Sequence, residues 1–365
     1  MVDDQMSYAK DKPYNDLPLL PPALELETKP VLKKSIAACA KLAELKGIAE
    51  QLPNPSILLR SFVLQEAKLS SEIENIVTTN DDLFRAASEI VGSYDPATKE
   101  VLRYEVAVWT GYERIRKQPL LTTNLFTDLA AIINGQPNLT VRKTTGTKIE
   151  NSRKEVVYTP PEGEQIIREK LTNLEQFIHD KDDLEPLIKM AVVHYQFEAI
   201  HPFIDGNGRT GRIVNILYLL QQGLVDLPML YLSRYIIENK NEYYRLLRGV
   251  TEHLEWEPWI LYMLDGVEAT ADSAIHKIRR LITLLNETQQ EVREKLPKIY
   301  SKDLVEVLFK LPYCRISFLE EAGIAKREAA SKYLKKLAEI GLLQSVKAGR
   351  EHYYVNARMV EWLRE

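Results

Sequence analysis

The chain has few cysteines, little net charge and no long apolar run. Its two cysteines, Cys39 and Cys314, cannot form a disulfide framework or a cysteine-rich metal site, and such a low count is typical of a reducing compartment. The net charge of −4 excludes a global field that would draw the whole chain to nucleic acid or anionic lipid. Apolar runs stay under about ten residues, whereas a helix that crosses a bilayer needs about 20.

The composition and the first residues narrow the class further. Apolar residues make up 45% and charged residues 27%, which is ordinary for a soluble globular protein and excludes collagen-like or low-complexity chains. The N-terminus begins with acidic residues and lacks the apolar segment of a secretion signal, so we expect a cytoplasmic protein with no membrane partner. A length of 365 residues predicts two or three domains.

The N-terminal part, residues 1–95, is predicted to be a helical region behind an irregular lead-in. Residues 1–30 are rich in proline, which favours a segment that packs over another part of the protein. Beyond them, apolar residues recur at steps of three, four and seven and form one helical stripe: Leu59, Phe62, Leu69, Ile73 and Ile76.

The central part, residues 96–270, is predicted to be a second helical domain that contains a β-hairpin flap. Two β-prone runs, Val141–Ile149 and Glu155–Thr159, flank a polar turn at Asn151-Ser152, and Pro160-Pro161 closes the flap. Apolar periodicity predicts helices over 96–136, 164–179, 184–200, 212–222, 240–253 and 257–285. Residues 271–297 are predicted to be a linker helix.

Residues 298–365 are predicted to be a separate C-terminal module. Helices over about 301–311, 315–322 and 326–340 precede two strand-like runs around Lys347-Ala348-Gly349, which is the order of a winged helix-turn-helix. The module has 13 basic and 9 acidic residues, so its net charge is +4 and residues 1–297 carry −8. The predicted fold class is therefore mostly α, with a hairpin flap and a C-terminal winged helix-turn-helix.

The most informative segment runs from His201 to Arg212 and reads HPFIDGNGRTGR. Its glycines match the pattern of dinucleotide-binding folds, but the preceding FEAIHPFID contains proline and charged residues that do not suit a buried parallel strand. A loop that opens a helix fits better, because Gly206 and Gly208 let backbone N–H groups approach an anion. The helix predicted from Arg212 favours negative charge at its start, and Arg209 and Arg212 add planar donors suited to phosphate.

An anion site, two arginines, a histidine and a carboxylate are the parts needed for phosphoryl or nucleotidyl transfer. The segment also resembles the Fic motif, HxFx(D/E)GNGRxxR, at every defined position. The resemblance covers about residues 20–270 and implies a helical Fic fold that transfers AMP from ATP to a protein hydroxyl group, a reaction called adenylylation or AMPylation. The intact GNGR favours AMP transfer over the γ-phosphate transfer of the family branch that has lysine in place of Arg209.

The resemblance assigns a role to each position of the motif. His201 is the general base that takes the proton of the target hydroxyl, for which an unperturbed pKa of about 6.5 is suitable. Asp205 holds Mg²⁺, which bridges the α- and β-phosphates of ATP, and one carboxylate plus phosphates is a normal magnesium arrangement. The rest of the motif binds ATP: Gly206, Asn207 and Gly208 at the α- and β-phosphates, Arg209 at the leaving pyrophosphate, Arg212 at the γ-phosphate, with Thr210 and Gly211 between the arginines.

A second short segment, SSEIEN at 70–75, matches the inhibitory pattern (S/T)xxxE(G/N) of the same family, with Ser70, Glu74 and Asn75 at the defined positions. The match implies that Glu74 forms a bidentate pair with Arg212, which then cannot reach the γ-phosphate. ATP still binds, but its α-phosphorus is misaligned. Two alternatives stay open for Glu74: a solvated helix acid, or a residue that positions water to remove AMP from a modified protein.

The resemblance also gives the flap, Val141–Pro161, a role beside the active site, where a segment of the target docks as an added strand. Val157, Tyr158 and Thr159 are expected near the nucleotide and the target. Tyr243 and Tyr244 are expected at the adenosine, with a place in the aromatic core as the alternative.

The sequence of the C-terminal module is compatible with more than one kind of partner. A basic face of a recognition helix and wing would consist of Lys326, Arg327, Lys332, Lys335, Lys336, Lys347 and Arg350. The chain would then be a DNA-binding regulator whose Fic domain senses nucleotide. A charged, solvated helix or a protein-binding domain is the alternative. The protein target, which can be the chain itself, and a homodimer are compatible with the resemblance but are not defined by residues.

Overall fold

The computed structural model describes residues 8–55, 59–89, 94–151, 153–348 and 351–364. It is mostly helical with short antiparallel strands, as the sequence predicted. The described chain divides into two compact units: the first contains the residues up to Ala43 and Arg103–Thr270, and the second contains Glu44–Leu102 and the residues from Ala271 onward. None of the helices in these ranges combines the length and apolar character needed to span a bilayer.

Helices precede and follow the short strands of the flap along the chain. The helices before the flap are α1 (Lys29–Ala49), α2 (Arg60–Ile73), α3 (Asn80–Ala87), α4 (Pro96–Lys117) and α5 (Thr123–Asn134). The flap strands are β1 (Ile149–Glu150) and β2 (Val156–Tyr158). The following helices are α6 (Glu164–His179), α7 (Pro186–Ile200), α8 (Asn207–Gln221), α9 (Ser233–Glu238), α10 (Lys240–His253) and α11 (Trp256–Lys295). The last elements are α12 (Lys302–Leu308), β3 (Tyr313–Cys314), α13 (Ile316–Glu321), α14 (Arg327–Glu339), β4 (Gln344–Ala348), β5 (Glu351–Val355) and α15 (Ala357–Arg364).

Helices α7 and α8 form the centre of the first unit. Almost every residue of both helices is buried, as is expected for helices in the centre of a domain. The two helices approach closely at Gly211, where a Cβ atom would lie 2.6 Å from Glu198 Oε1 and 3.1 Å from Phe197 Cδ1. Glycine at this position therefore brings the start of α8 against the last turn of α7.

The proline-rich lead-in packs over the flap and α6, in agreement with the expectation that it covers another part of the protein. The N–H group of Tyr14 donates to the carbonyl of Thr159 at 3.0 Å. The hydroxyl of Tyr8 donates to the carbonyl of Val157 at 3.2 Å. These two carbonyls are two residues apart and point to the same edge of an extended strand, so the lead-in covers that edge of β2.

The flap is shorter than the sequence predicted. Its first run is a strand only at Ile149–Glu150, which pairs antiparallel with β2 through a register irregularity. The side-chain Oδ1 of Asn151 accepts the N–H groups of Arg153 at 2.9 Å and Glu155 at 3.0 Å, so an Asx turn joins the strands. Ser152 of the predicted turn lies outside the described residues.

The second unit packs α2 against the C-terminal elements. The rings of Phe62 and Trp362 meet edge to face with 5.3 Å between centroids, and Trp362 Nε1 donates to the carbonyl of Lys277 at 3.0 Å. A three-stranded antiparallel sheet has the order β3-β5-β4. The predicted three helices and two strands are present, and β3 and α15 are additions that the sequence analysis did not foresee. Gly349 and Arg350 at the predicted wing lie outside the described residues.

Some helix bounds also differ from the prediction. The predicted stretch 96–136 is divided into α4 and α5, because Thr122 caps a new helix by accepting the N–H group of Leu125 at 3.2 Å. Helix α11 continues to Lys295, beyond the predicted end at 285, since neither proline nor glycine occurs between that position and Pro297. The first unit ends at Thr270, and residues 1–95 are divided between the units after Ala43; the predicted domain bounds stay predictions.

Candidate active site

His201 lies where α7 ends and the loop before α8 begins. It takes the left-handed backbone conformation, with φ 48° and ψ 59°, and its N–H group donates to the carbonyl of Phe197 at 3.0 Å. A residue other than glycine in this region is uncommon and is held there by its surroundings. The Nδ1 atom of the imidazole is buried.

The loop after His201 is closed by the side chain of Asn207. Its Oδ1 accepts the N–H group of Phe203 at 2.8 Å, and its Nδ2 donates to the carbonyl of the same residue at 2.8 Å. The ring of Phe203 is fully buried and lies 6.3 Å from that of Phe197. The amide of Asn207 therefore shapes the loop, and its contribution to an anion site would come from its backbone N–H group.

Helix α8 begins at Asn207 and not at Arg212, which corrects the sequence-based start. Gly206 caps the helix in the left-handed conformation, with φ 78°, and a Cβ atom there would lie 3.0 Å from Asn134 Nδ2. The Thr210 N–H group donates to the Gly206 carbonyl at 2.9 Å, which is the first i to i−4 hydrogen bond of the helix. The N–H groups of Asn207 and Gly208 precede this bond in the first turn. Such groups at a helix start, together with the helix dipole, favour phosphate.

Asp205 and Arg209 lie close together at this helix start. The carboxylate of Asp205 is 72% exposed, lies 3.5 Å from Arg209 Nη2, and accepts the N–H group of Gly206 at 2.6 Å. The side chain of Arg209 is fully buried. Within the described ranges, no cluster of three or more His, Cys, Asp or Glu side chains could hold a metal ion by itself. The exposed carboxylate fits a magnesium ion that takes its other ligands from phosphate and water.

Arg212 lies on the buried face of α8 beside His194. The ring nitrogens of His194 lie 2.9 Å from the hydroxyl of Tyr243 and 3.1 Å from Asn215 Nδ2, and its ring stacks on Trp259. Burial, with a contribution from the charge of Arg212, lowers the pKa of His194 to about 3. His194 is therefore a neutral core residue.

The three flap residues expected near the nucleotide and the target, Val157, Tyr158 and Thr159, have different surroundings in the structure. The side chain of Tyr158 is buried and its hydroxyl donates to the carbonyl of Ala199 at 2.8 Å. Thr159 is also buried, and its hydroxyl donates to the carbonyl of Lys10 at 2.7 Å. Both side chains fasten the base of the flap to the protein, so Val157, which is half-buried, is the member of the three with an accessible side chain.

Tyr243 and Tyr244 are neighbours with different surroundings. The ring of Tyr243 is 2% exposed, and its hydroxyl is hydrogen-bonded to His194. It lies among the rings of Trp259, Tyr262 and Tyr244, which is the arrangement of the core alternative. Tyr244 is 40% exposed, so its ring has a surface that a nucleoside can contact.

Arg142, which the sequence analysis did not single out, lies behind the histidine. Its Nε donates to the carbonyl of His201 at 2.8 Å, and its Nη2 donates to the carbonyls of Ile200 at 3.3 Å and Pro161. The side chain is 1% exposed. Because these contacts direct the side chain of Arg142 into the interior, the residues after Val141 do not form the predicted strand. Arg142 is followed by a second basic residue, Lys143, in a β-prone run, and nothing in that run distinguished it.

The segment that resembles the inhibitory pattern lies in the second unit, at the end of α2. Ser70 is fully buried, Glu74 is the exposed C-terminal cap, and Asn75 takes the left-handed conformation, with φ 63°. Glycine and asparagine are the residues that favour this conformation after a helix. The last position of the pattern is therefore explained by the way α2 ends.

The first unit thus presents a glycine-capped helix start, an exposed carboxylate and two buried arginines directly after a histidine held by its backbone. This arrangement defines a helical protein whose chemistry is suited to a phosphorylated ligand beside a proton acceptor.

Comparison with known families agrees with this class. Residues 32–113 match the Fic/DOC family N-terminal domain, residues 120–219 match the Fic/DOC family, and residues 284–359 match the C-terminal domain of SoFic-like protein adenylyltransferases. The chain therefore contains a Fic/DOC domain, which is preceded by the N-terminal domain of that family and followed by a SoFic-like C-terminal domain.

Curated relatives share a limited part of the chain. Protein adenylyltransferase Fic of Drosophila yakuba is 30% identical over 126 residues, which is 34% of this chain and 24% of that protein. Protein adenylyltransferase fic-1 of Caenorhabditis elegans is 31% identical over 117 residues, or 31% of this chain and 21% of that protein. The matched part thus spans about a quarter of these relatives.

Solved structures share the fold over a longer range. A Fic family protein from Desulfovibrio desulfuricans has a TM-score of 0.61 at 18% identity, with 92% of this chain and 98% of that chain covered. A Fic domain signalling protein from Bacteroides thetaiotaomicron has a TM-score of 0.54 at 21% identity, with 67% and 97% covered.

Proposed function

We propose that the chain is a nucleotidyltransferase that moves AMP from ATP to the hydroxyl group of a Ser, Thr or Tyr residue on a protein. The observation that carries the proposal is the helix start at Gly206–Gly208 directly after His201. A polyphosphate at that helix start would lie beside the imidazole. The names of the relatives, protein adenylyltransferases, support the same reaction.

In this reaction the target oxygen attacks the α-phosphorus of ATP, an oxygen–phosphorus bond forms, and pyrophosphate leaves with the electron pair of the broken bond. Nε2 of His201 takes the proton of the target hydroxyl. The backbone N–H groups at the start of α8 and the guanidinium of Arg209 stabilise the phosphate charge. Magnesium, held by Asp205 and phosphate, would add charge neutralisation.

We further propose that Glu74 restrains this activity. The carboxylate stands at the exposed end of α2, where it can be presented to a partner arginine. By the family pattern that partner is Arg212, whose planar guanidinium would pair with a carboxylate in place of the γ-phosphate. A misplaced α-phosphate then reacts slowly, since a displacement of about 1 Å can cost about 100-fold in rate.

The test follows AMP incorporation by intact-mass spectrometry and with ATP labelled at the α-phosphate. The Glu74→Gly variant should modify itself or added protein faster than the wild type, and His201→Ala in that background should abolish the reaction. Glu72→Gly is the matched control, because it removes the same charge from the same helix and should leave the rate low. Equal rates for wild type and Glu74→Gly would contradict the inhibition.

The reverse reaction is distinguished in the same experiment. If wild-type protein releases AMP from a modified target and Glu74→Gly does not, Glu74 positions water for hydrolysis. No mass gain and no AMP release in any variant would contradict nucleotidyl transfer itself.

One observation favours an additional DNA-binding function of the second unit. The basic side chains of α14 and its N-terminal cap are exposed: Lys326, Arg327, Lys332, Lys335 and Lys336, with Lys347 on β4. Such a face suits the phosphate backbone of DNA. Binding of the full chain to duplex DNA should weaken as salt rises. It should also weaken in Lys326→Ala with Arg327→Ala, and unchanged binding in that variant would contradict the proposal.

A further inference from the structure

We propose that Arg142 is a positioning residue for the catalytic histidine, because it ties the backbone of His201 to the base of the flap. The inference rests on the proposed function, since it gives the imidazole the role of base. It adds a residue outside the motif, 59 positions earlier in the chain, that sets where this base stands.

The hydrogen bonds of Arg142 connect the start of the motif to the end of the flap. One guanidinium nitrogen donates to the carbonyl of His201 and another to those of Ile200 and Pro161. The backbone N–H group of Arg142 also donates to the carbonyl of Pro202 at 2.9 Å. A single residue therefore contacts three consecutive residues around the start of the motif and Pro161, which closes the flap.

The burial of Arg142 makes this contact specific for an arginine side chain. A cation that is 1% exposed must be satisfied by several acceptors, because its desolvation is otherwise costly. Burial lowers the pKa of the guanidinium, and Tyr158 and Glu162 partly offset this effect. Backbone carbonyls fit the fixed fork of a guanidinium, whereas the ammonium group of lysine is a point donor on a flexible stem.

The contact acts on the backbone of His201 at the place where that backbone is strained. The left-handed conformation of this residue is unfavourable for a side chain other than glycine. Bonds to its carbonyl oppose relaxation toward a helical or extended backbone. Such a relaxation would rotate the Cα–Cβ bond and move the imidazole, and a shift of about 1 Å can cost about 100-fold in rate.

A kinetic experiment separates positioning from general stability. In the Glu74→Gly background, Arg142→Gln should lower kcat by about 10- to 100-fold and leave KM for ATP within about twofold, because the start of α8 is untouched. Arg142→Lys should restore part of kcat, since it keeps a buried donor.

The matched control is Lys189→Met. Lys189 is another buried cation of the first unit, 4% exposed, which donates to the carbonyl of Asp180 at 2.9 Å near the opposite end of α7. Its loss should lower the unfolding temperature but leave kcat unchanged. A kcat of Arg142→Gln equal to that of this control, or a parallel rise of KM for ATP, would overturn the proposal.

A second measurement does not depend on activity. Histidines labelled with ¹⁵N give resolved imidazole signals, and the signal of His201 is assigned by its loss in His201→Ala. In Arg142→Gln the signal of His201 should shift or broaden, whereas that of the core residue His194 should stay in place. An unchanged His201 signal would overturn the proposal. If no variant transfers AMP but the signal moves, nucleotidyl transfer fails and the positioning contact stands.

Discussion

Helices α7 and α2 end in similar ways but in different surroundings. Each is closed by a residue other than glycine in the left-handed conformation, His201 after α7 and Asn75 after α2. The carbonyl of His201 is bonded by the buried Arg142, whereas Glu74 and Asn75 are exposed. The same turn geometry is therefore fixed in the interior for the proposed base and left at the surface for the proposed inhibitor.

This contrast fits the different roles proposed for the ends of α7 and α2. A base must stand within a fraction of an ångström of its place in every catalytic cycle, so it benefits from a rigid backbone. A restraint must be removable, which is easier at an exposed helix end than in the interior of the protein. Substitutions that alter one end at a time should therefore produce effects of different size.

The largest effect is expected from Gly206→Ala. The added methyl group would crowd Asn134 Nδ2 at 3.0 Å, and the residue would have to keep a φ of 78°. The start of α8 should shift, and AMP transfer by the Glu74→Gly protein should fall by about 100-fold. Gly223→Ala is the control, because its φ is 66° but no atom lies within 4 Å. Equal loss in both variants would attribute the effect to backbone strain alone.

An intermediate effect on stability is expected from acidification, through the buried His194 in the middle of α7. The folded protein binds a proton at His194 only near pH 3, whereas the unfolded chain binds it near pH 6.5. The unfolded state therefore holds more protons between these values. This group should lower the free energy of unfolding by about 1.4 kcal/mol for each pH unit below 6.5.

Urea unfolding between pH 7 and pH 5 measures this slope. His194→Gln should be less stable at pH 7, because it disturbs the contacts with Tyr243 and Asn215, but its stability should fall less steeply with acid. His253→Asn, which changes an exposed histidine, should keep the wild-type slope. The same slope in all three proteins would contradict a buried, neutral His194.

The smallest effect is expected at Asn75. Asn75→Gly should leave stability nearly unchanged, whereas Asn75→Ala should cost about 1 kcal/mol because alanine disfavours a φ of 63°. If this helix end positions Glu74, the alanine variant should also raise basal AMP transfer severalfold. Glu89→Ala is the control, since Glu89 has a φ of 55° in the same unit. A rise of transfer in the control would contradict a specific role for Asn75.

Local features of the sequence predicted much of the fold. Helices α6 and α10 have the predicted bounds, Glu164–His179 and Lys240–His253, because apolar periodicity and nearby capping residues define their ends. The motif from His201 to Arg212 was recognised because its residues are contiguous. Its helix start was misplaced, since a run with three glycines does not look helical until Gly206 is known to be the cap.

Features that depend on distant contacts were not predictable. Arg142 is 59 residues from His201 in the chain, so nothing near it reveals its carbonyl partners or the shortening of β1. Tyr243 and Tyr244 are identical in type and adjacent, and only the packing around His194 and Trp259 separates a core ring from an exposed one. Short elements such as β3 gain their pairing from β5, which lies far along the chain.

The backbone of His201 also has a consequence for selection. His201→Gly and His201→Ala would both lack the imidazole, but only glycine accommodates a φ of 48° without strain, so it should melt at the higher temperature of the two. Among inactive variants, a screen for heat resistance alone would enrich glycine at this position. The presence of histidine at this position therefore reflects selection for its chemistry and not for stability.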